Sequence, residues 1–277
     1  MQPKFLIIDG YSKESRDKFD NVGMTTAGEL YGLMLKEYLP NSLYEIFYSS
    51  DDDSSSTPDL SNFNGILWPG CNLTIYDEQD LRVTKMINIA NLGFEKGIPQ
   101  FGSCWGAQIA VYIAGGKVKS NPKGREMGIA RNITLYEDGI NHPMYKNKPK
   151  VFEAFISHVD EITSMPENSK ILSGNKFTSV QAVDVKYKNG SFWAVQYHPE
   201  YNFIEMSKLI QAREEKLILE KFFENSSDLL SYSSKMELLE KFPEKKDLKW
   251  QLGIDDSLLD KGLRQIEFQN WINYFYS

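Results

Sequence analysis

The sequence predicts an α/β protein: a central, mostly parallel sheet with helices on both faces, followed by a helical C-terminal extension. Two observations point there. Short apolar runs at 5–8, 43–48, 63–68 and 97–101 alternate with stretches of helical period at 26–39, 77–96 and 109–114. The apolar run 97–101 is then joined to the next helical stretch by Gly102-Ser103-Cys104-Trp105-Gly106. A glycine two residues either side of the central residue suits a sharp strand-to-helix turn, where side chains at those positions would collide.

In order, residues 4–9 form the first strand, with only four consecutive apolar residues before Asp9. That is too short for a signal peptide or a membrane span. Residues 10–25 are polar and read as a surface loop, or as a segment covering a site at the strand's carboxyl end. Thr25 or Thr26 caps a helix that Pro40 stops. A strand over 43–48 precedes the run Asp51 to Ser56, which lacks the glycine and terminal glutamate of a calcium loop and reads as a mobile surface loop. The strand at 63–68 ends in Pro69-Gly70-Cys71, and a helix over 77–96 leads into the strand before Cys104. Gly115-Gly116 ends the following helix. Residues 117–135 read as strands and turns, and the polar connection 143–149 marks His142 as a surface residue. Runs at 169–174 and 177–187 precede a hairpin turn at Lys188-Asn189-Gly190-Ser191. A helix spans 203–224, and the serine-rich 225–234 reads as a hinge or turn. Phe268, Trp271, Ile272 and Phe275 fall on one helical face, which packs on its own domain or docks a partner subunit or second copy.

Composition narrows the function. With 41% hydrophobic and 25% charged residues the chain is an ordinary globular protein. Its net charge of −7 argues against a nucleic-acid partner. Two cysteines, Cys71 and Cys104, suggest no disulfide framework and a reducing compartment, hence the cytoplasm. There is no dinucleotide fingerprint or phosphate loop, so the chain calls for no nucleotide; no metal-ligand set or other cofactor is expected, and no membrane.

Cys104 at the start of a helix is either a nucleophile or a small buried residue of a glycine-rich turn. The helix N-terminus would favour its thiolate. A cysteine nucleophile needs a base and the base an orienting group. Phe192 to Glu200 is an alternating apolar run ending in His198-Pro199-Glu200, so His198 falls at a strand end, where Glu200 can hold one ring nitrogen. Taken alone, that segment also reads as a loop with a satisfied histidine.

Gly102-Ser-Cys104-Trp-Gly-Ala-Gln108 and Gln196-Tyr-His198-Pro-Glu200 together resemble the class I (triad) glutamine amidotransferases, in particular the glutaminase domain of GMP synthase and its stand-alone relatives. Ile66 to Cys71, Ile75-Tyr76-Asp77, Gly124 to Gly128 and Ser157-His158-Val159-Asp160 match in the same order. The resemblance covers residues 1–205, giving a domain 1–205 and an extension 206–277. It implies a Cys104–His198–Glu200 triad that hydrolyses the glutamine side-chain amide through a γ-glutamyl thioester. It places the backbone N–H groups of Cys71 and Trp105 at the oxyanion, where relatives carry glycine in place of Cys71. Gly70, Gln108, Ser157 and His158 would contact the substrate, with Arg125 and Glu126 supporting the pocket. Ammonia would pass to an unidentified acceptor on a separate synthetase subunit, or to none, since no synthetase domain is in this chain. The alternatives are a γ-glutamyl peptidase or hydrolase with the same triad, and a non-catalytic binding relative.

Overall fold

The computed structural model describes residues 2–51 and 57–277. Most of the acidic, serine-rich run expected as a loop, Asp52 to Ser56, lies outside the described residues. The elements in chain order are β1 (Lys4–Asp9), α1 (Lys13–Val22), α2 (Ala27–Tyr38), β2 (Leu43–Tyr48), β3 (Gly65–Trp68), α3 (Leu81–Lys96), β4 (Gln100–Ser103), α4 (Trp105–Ile113), β5 (Lys117–Ser120), β6 (Glu126–Leu135) and α5 (Glu137–Ile140). There follow β7 (Val151–His158), β8 (Asp160–Ser164), β9 (Ser169–Gly174), β10 (Ala182–Tyr187), β11 (Gly190–Val195), α6 (Phe203–Ala212), α7 (Glu214–Leu219), α8 (Ser226–Lys241), α9 (Lys246–Leu252), α10 (Asp256–Leu259), α11 (Lys261–Arg264) and α12 (Ile266–Tyr276).

Nine strands form one sheet in the order β2-β1-β3-β4-β11-β10-β9-β6-β7. The half from β2 to β11 is parallel, and the half from β11 to β7 is antiparallel. The register aligns the carboxyl ends that matter. Trp68 of β3 pairs with Gly102 of β4, and Val195 of β11 pairs with Ser103. The segments after β3, β4 and β11 therefore emerge side by side at one edge, where open α/β sheets bind ligands. From β11 to β7 the four successive antiparallel pairings reverse direction an even number of times. Strand β7 therefore also delivers its carboxyl end, Ser157-His158, to that edge.

Two apolar layers sandwich the sheet. One holds Ile66, Trp68, Met86, Phe94, Ile109 and Phe192, between the sheet and α3 and α4. The other holds Phe5, Tyr31, Phe101, Trp193, Phe268 and Trp271. The last two come from α12, so the C-terminal amphipathic helix packs in cis on the strands that lead to the site. Phe268 meets Phe101 at 5.2 Å and Trp271 meets Phe5 at 6.1 Å between ring centres.

Several local expectations give way to tertiary context. The polar segment 10–25 is largely the helix α1, with Ser12 accepting from the Ser15 N–H and Gly23 ending it at φ 73°. Its one deeply buried face residue, Phe19, packs on Tyr11. The run 225–234 is helical from Ser226, because Asn225 caps α8 through the Asp228 N–H. The helix expected over 203–224 breaks at Arg213, between α6 and α7. The boundary expected after residue 205 falls inside α6.

The extension is also tied to the core by charge. Lys148 Nζ lies 3.0 Å from Glu267 Oε1, with both side chains buried, and Tyr197 donates to the same oxygen at 2.5 Å. Burial pulls the Lys148 pKa down, against the opposing pull of Glu267. Removing one partner of a buried pair strands the other charge, which costs about 3–5 kcal/mol. Truncating a buried tryptophan costs about 3–5 kcal/mol as well. Glu267→Ala and Trp271→Ala are each expected to lower the unfolding free energy by that order in urea titrations. Loss of under about 1 kcal/mol for both would mean that α12 contributes little to the fold.

Candidate active site

Cys104 caps α4 with φ 50° and ψ −94°, a conformation outside the regions open to ordinary residues. The flanking glycines show why the turn needs them. A Cβ added at Gly102 would lie 2.8 Å from both Gly106 Cα and the Trp68 carbonyl oxygen, and one at Gly106 would lie 2.9 Å from that same oxygen. Strand β3 thus presses on the turn from one side. From the other, the Cys104 N–H donates to the Val195 carbonyl of β11 at 2.8 Å.

His198 follows β11, and its N–H donates to Phe155 of β7 at 2.8 Å. Its Nδ1–H donates to Glu200 Oε1 at 2.7 Å, and the Ser103 hydroxyl donates to the same carboxylate oxygen at 3.0 Å. Tyr201 stacks on the imidazole, 4.3 Å between centres and 8° from parallel. Cys104 adjoins the imidazole and favours its protonation. Burial alone would lower the pKa of His198. The Glu200 charge, the adjoining Cys104 and the hydrogen bond to Glu200 outweigh it and push the value up to about 9.

The segment after β3 closes the other side of the thiol. A Cβ at Gly70 would lie 2.7 Å from His198 Cε1 and 3.3 Å from Cys104 Cβ. The Cys71 amide has no backbone partner among the described residues. The Trp105 amide, in the first turn of α4, belongs to the set without an intrahelical acceptor. The Cys71 thiol lies against Gly10, and burial pushes its pKa well up. Both cysteines are free.

Ser157 brings its carbonyl oxygen to 3.8 Å from Cys104 Sγ. Gln108 projects from α4 toward the Asp160 carbonyl, 3.5 Å away. His158 is buried with both ring nitrogens engaged, Nε2 by Glu126 at 3.1 Å and Nδ1 by the Asp160 carbonyl at 2.8 Å. Glu126 is the hub of that cluster, and also accepts from Asn175 and Gln181. Arg125 pairs with Glu220 at 2.6 Å on the cleft wall. His142, expected at the surface, is buried instead. It bonds Asp184 at 3.2 Å and packs edge-on against Trp193, because α5 folds the polar connection back onto the sheet. Of these residues, Cys71, Cys104, Gln108, Arg125, Ser157 and His158 line an open cleft of about 980 Å³. Among the described residues no cluster of His, Cys, Asp or Glu could hold a metal, and no helix is long and apolar enough to cross a membrane.

The family profile for glutamine amidotransferase class-I matches residues 35–214. The chain belongs to that family. It is 27% identical over 276 residues to the gamma-glutamyl-L-1-hydroxyisopropylamide hydrolase of a Pseudomonas species, covering 98% of this chain and 92% of that protein. It is 36% identical over 136 residues to the glutamine-hydrolyzing GMP synthase of Brachyspira hyodysenteriae, a match over 49% of this chain that spans only 24% of the synthase. One subunit of the glutamine-hydrolyzing GMP synthase of Methanococcus vannielii is 32% identical over 46% of this chain and 64% of its own length. The crystal structure of a glutamine amidotransferase from Thermotoga maritima superposes with a TM-score of 0.68 over 98% of this chain and 99% of that one, at 17% identity, which shows the shared fold.

This class-I amidotransferase carries site residues that the sequence does not advertise. Ser103 and Tyr201 adjoin recognisable motifs, but nothing in the pattern aims their side chains. Arg213 sits inside the expected helix 203–224 with nothing in the pattern to single it out, yet it reaches into the cleft and donates to the Ser157 hydroxyl.

The raised pKa of His198 has a stability consequence. Its ordinary value is 6.5 and its folded value about 9, so its contribution is present in full below pH 6.5 and is lost as pH rises through about 9. Unfolding free energy measured from about pH 6 to 10 is expected to fall across that window in the wild-type chain and to fall less in Glu200→Gln. An identical slope in both would refute the ion-pair assignment.

Proposed function

We propose that this amidotransferase-family enzyme hydrolyses γ-glutamyl amides through Cys104, His198 and Glu200. The single observation carrying the choice of substrate class is the reach of similarity. The hydrolase from Pseudomonas matches along the whole chain, including 206–277, whereas the GMP synthases match about half of it. The extension contributes directly to the cleft, through Arg213 and Lys216. A cleft of about 980 Å³ also leaves room for an N-substituent on the departing amine.

In this reading the Cys104 thiolate, paired with the His198 imidazolium, attacks the γ-carbonyl carbon. The N–H groups of Cys71 and Trp105 receive the oxyanion, an arrangement worth about 2.7–4 kcal/mol per donor. His198 gives its proton to the leaving amine as the C–N bond breaks, leaving a γ-glutamyl thioester and a neutral imidazole. His198 then takes a proton from water, whose oxygen attacks the thioester. Glutamate departs, and the expelled Cys104 thiolate with the reprotonated His198 restores the starting pair. Glu200 orients His198 throughout. Gly70, Gln108 and Ser157 line the path of the glutamyl group, and His158, engaged at both nitrogens, supports the wall.

A second reading, delivery of ammonia from glutamine to a separate synthetase, is favoured by the match to an individual GMP synthase subunit. Turnover of L-glutamine and of γ-glutamyl N-alkylamides by the isolated chain separates the two. Hydrolysis predicts kcat/KM for the alkylamides at or above that for glutamine, without a partner. Strong preference for glutamine, with rate rising on addition of a synthetase, would favour ammonia delivery. For either substrate Cys104→Ala is expected to lower kcat by at least about 10⁴-fold while the chain stays folded. A second test concerns Gly70. Gly70→Ala puts a methyl where His198 sits, so loss of at least about 10²-fold in kcat/KM is expected with little change in the unfolding midpoint. Wild-type turnover in that variant would show that His198 can shift freely, against its proposed role.

A further inference from the structure

Arg213 has no counterpart in the motifs that identify the site, and its surroundings are those of a ligand-binding group. It lies in the break between α6 and α7, in the C-terminal part of the chain. Its Nη1–H donates to the Ser157 hydroxyl, and Nη2 lies 3.4 Å from the Tyr11 hydroxyl. Both partners are neutral. Burial pushes the Tyr11 pKa far up, so that hydroxyl carries no charge to offset the guanidinium. Glu220, whose charge is felt nearby, is already hydrogen-bonded to Arg125 through both carboxylate oxygens, and Glu214, Glu215 and Asp160, which line the same cleft, form no ion pair with Arg213. Among the described residues no carboxylate forms an ion pair with Arg213. A guanidinium held in place by two hydroxyls, facing a cleft and lacking an anion, is prepared to receive one. After burial itself, the charge of Arg125 pulls the Lys216 pKa down, Glu220 pulls it up, and Arg213 pulls it down.

Ser157 fixes the spacing. Its carbonyl oxygen is 3.8 Å from Cys104 Sγ, and its hydroxyl accepts from Arg213. In a γ-glutamyl group the α-carboxylate lies four C–C bonds from the γ-carbonyl carbon, roughly 5 Å when extended. A γ-carbonyl carbon at the thiol therefore carries its α-carboxylate along Ser157 toward the guanidinium. Every γ-glutamyl compound has this carboxylate, whatever its leaving amine.

We propose that Arg213, oriented by Tyr11 and Ser157, binds the α-carboxylate of the substrate's glutamyl group and sets the preference for γ-glutamyl over simple acyl amides. This rests on the γ-glutamyl reading above and adds to it the residue that selects the acyl half. It also gives the C-terminal segment a part in substrate recognition.

The test measures binding, so that it does not depend on turnover. The full chain carrying Cys104→Ala is titrated calorimetrically with L-glutamine and with 4-aminobutanamide, which lacks only the α-carboxylate. L-Glutamine is expected to bind at least about tenfold tighter, and adding Arg213→Met should remove most of that advantage. Arg213→Lys should keep part of it, and Tyr11→Phe should reduce it by a smaller factor. Equal weakening of both ligands by Arg213→Met would overturn the proposal, as would failure of L-glutamine to bind the parent. A second pair, γ-glutamylglycine and γ-glutamyl methylamide, differs only in a carboxylate on the leaving side. If Arg213→Met selectively weakens the glycine compound, Arg213 reads the leaving group and the proposal fails. If the parent binds L-glutamine as expected while the wild-type chain turns over neither glutamine nor the methylamide, the hydrolytic reading fails and the assignment of Arg213 stands.

Discussion

The site depends on the close approach of the Trp68 carbonyl to the backbone on both sides of Cys104. That contact exists because β3 and β4 pair in register, Trp68 opposite Gly102, while α4 leaves the turn directly over β3. It holds Cys104 in a conformation that costs of order 1–3 kcal/mol to maintain. The cost is offset by the surrounding layer, in which Trp68, Trp105, Ile109 and Phe192 are fully or almost fully buried. The strained turn puts the sulfur at the head of a helix, beside free amide groups, and leaves it nowhere to relax. Reactivity and fold stability are therefore linked through the same few residues.

The remaining geometry follows from parallel and antiparallel halves meeting at β11. Because β11 pairs with β4 on one side and begins the antiparallel half on the other, His198 stands between Cys104 and β7. Its N–H donates to Phe155, its carboxylate partner lies two residues further on, and a ring stacks on its face. Ser103 ties that carboxylate back to the strand that leads to Cys104. Ser103, Glu200, His198 and Cys104 are all buried, which by itself would lower the His198 pKa, but the unscreened Glu200 charge outweighs that cost and the imidazole keeps its proton into alkaline conditions.

The extension is physically continuous with the domain it follows. Its last helix completes the aromatic layer beneath β1 and β4, and Glu267 shares a buried charge pair with Lys148. Its first break supplies Arg213. Such an arrangement explains how a fold common to many amidotransferases acquires its own cleft: the chemistry stays at the sheet edge, and the wall opposite is built from residues beyond the catalytic motifs.

The alternation of apolar runs with helical periods was enough to specify the α/β layering and strands such as Lys4–Asp9 and Gly65–Trp68, since burial of a sheet on both faces demands such runs. Glycines spaced around Cys104 announced the turn, because a Cβ at Gly102 would lie 2.8 Å from neighbouring backbone atoms. His-Pro-Glu announced the imidazole and its carboxylate, two residues apart and so close by necessity. What lay beyond the sequence were contacts made between segments far apart in the chain. His142 is buried because α5 returns to the sheet, Ser226 begins a helix because α6 offers α8 a packing face, and Arg213 enters the cleft because the helix breaks there. A charged or polar run carries the same local pattern whether it faces water or a substrate, and only the packing of distant elements decides which.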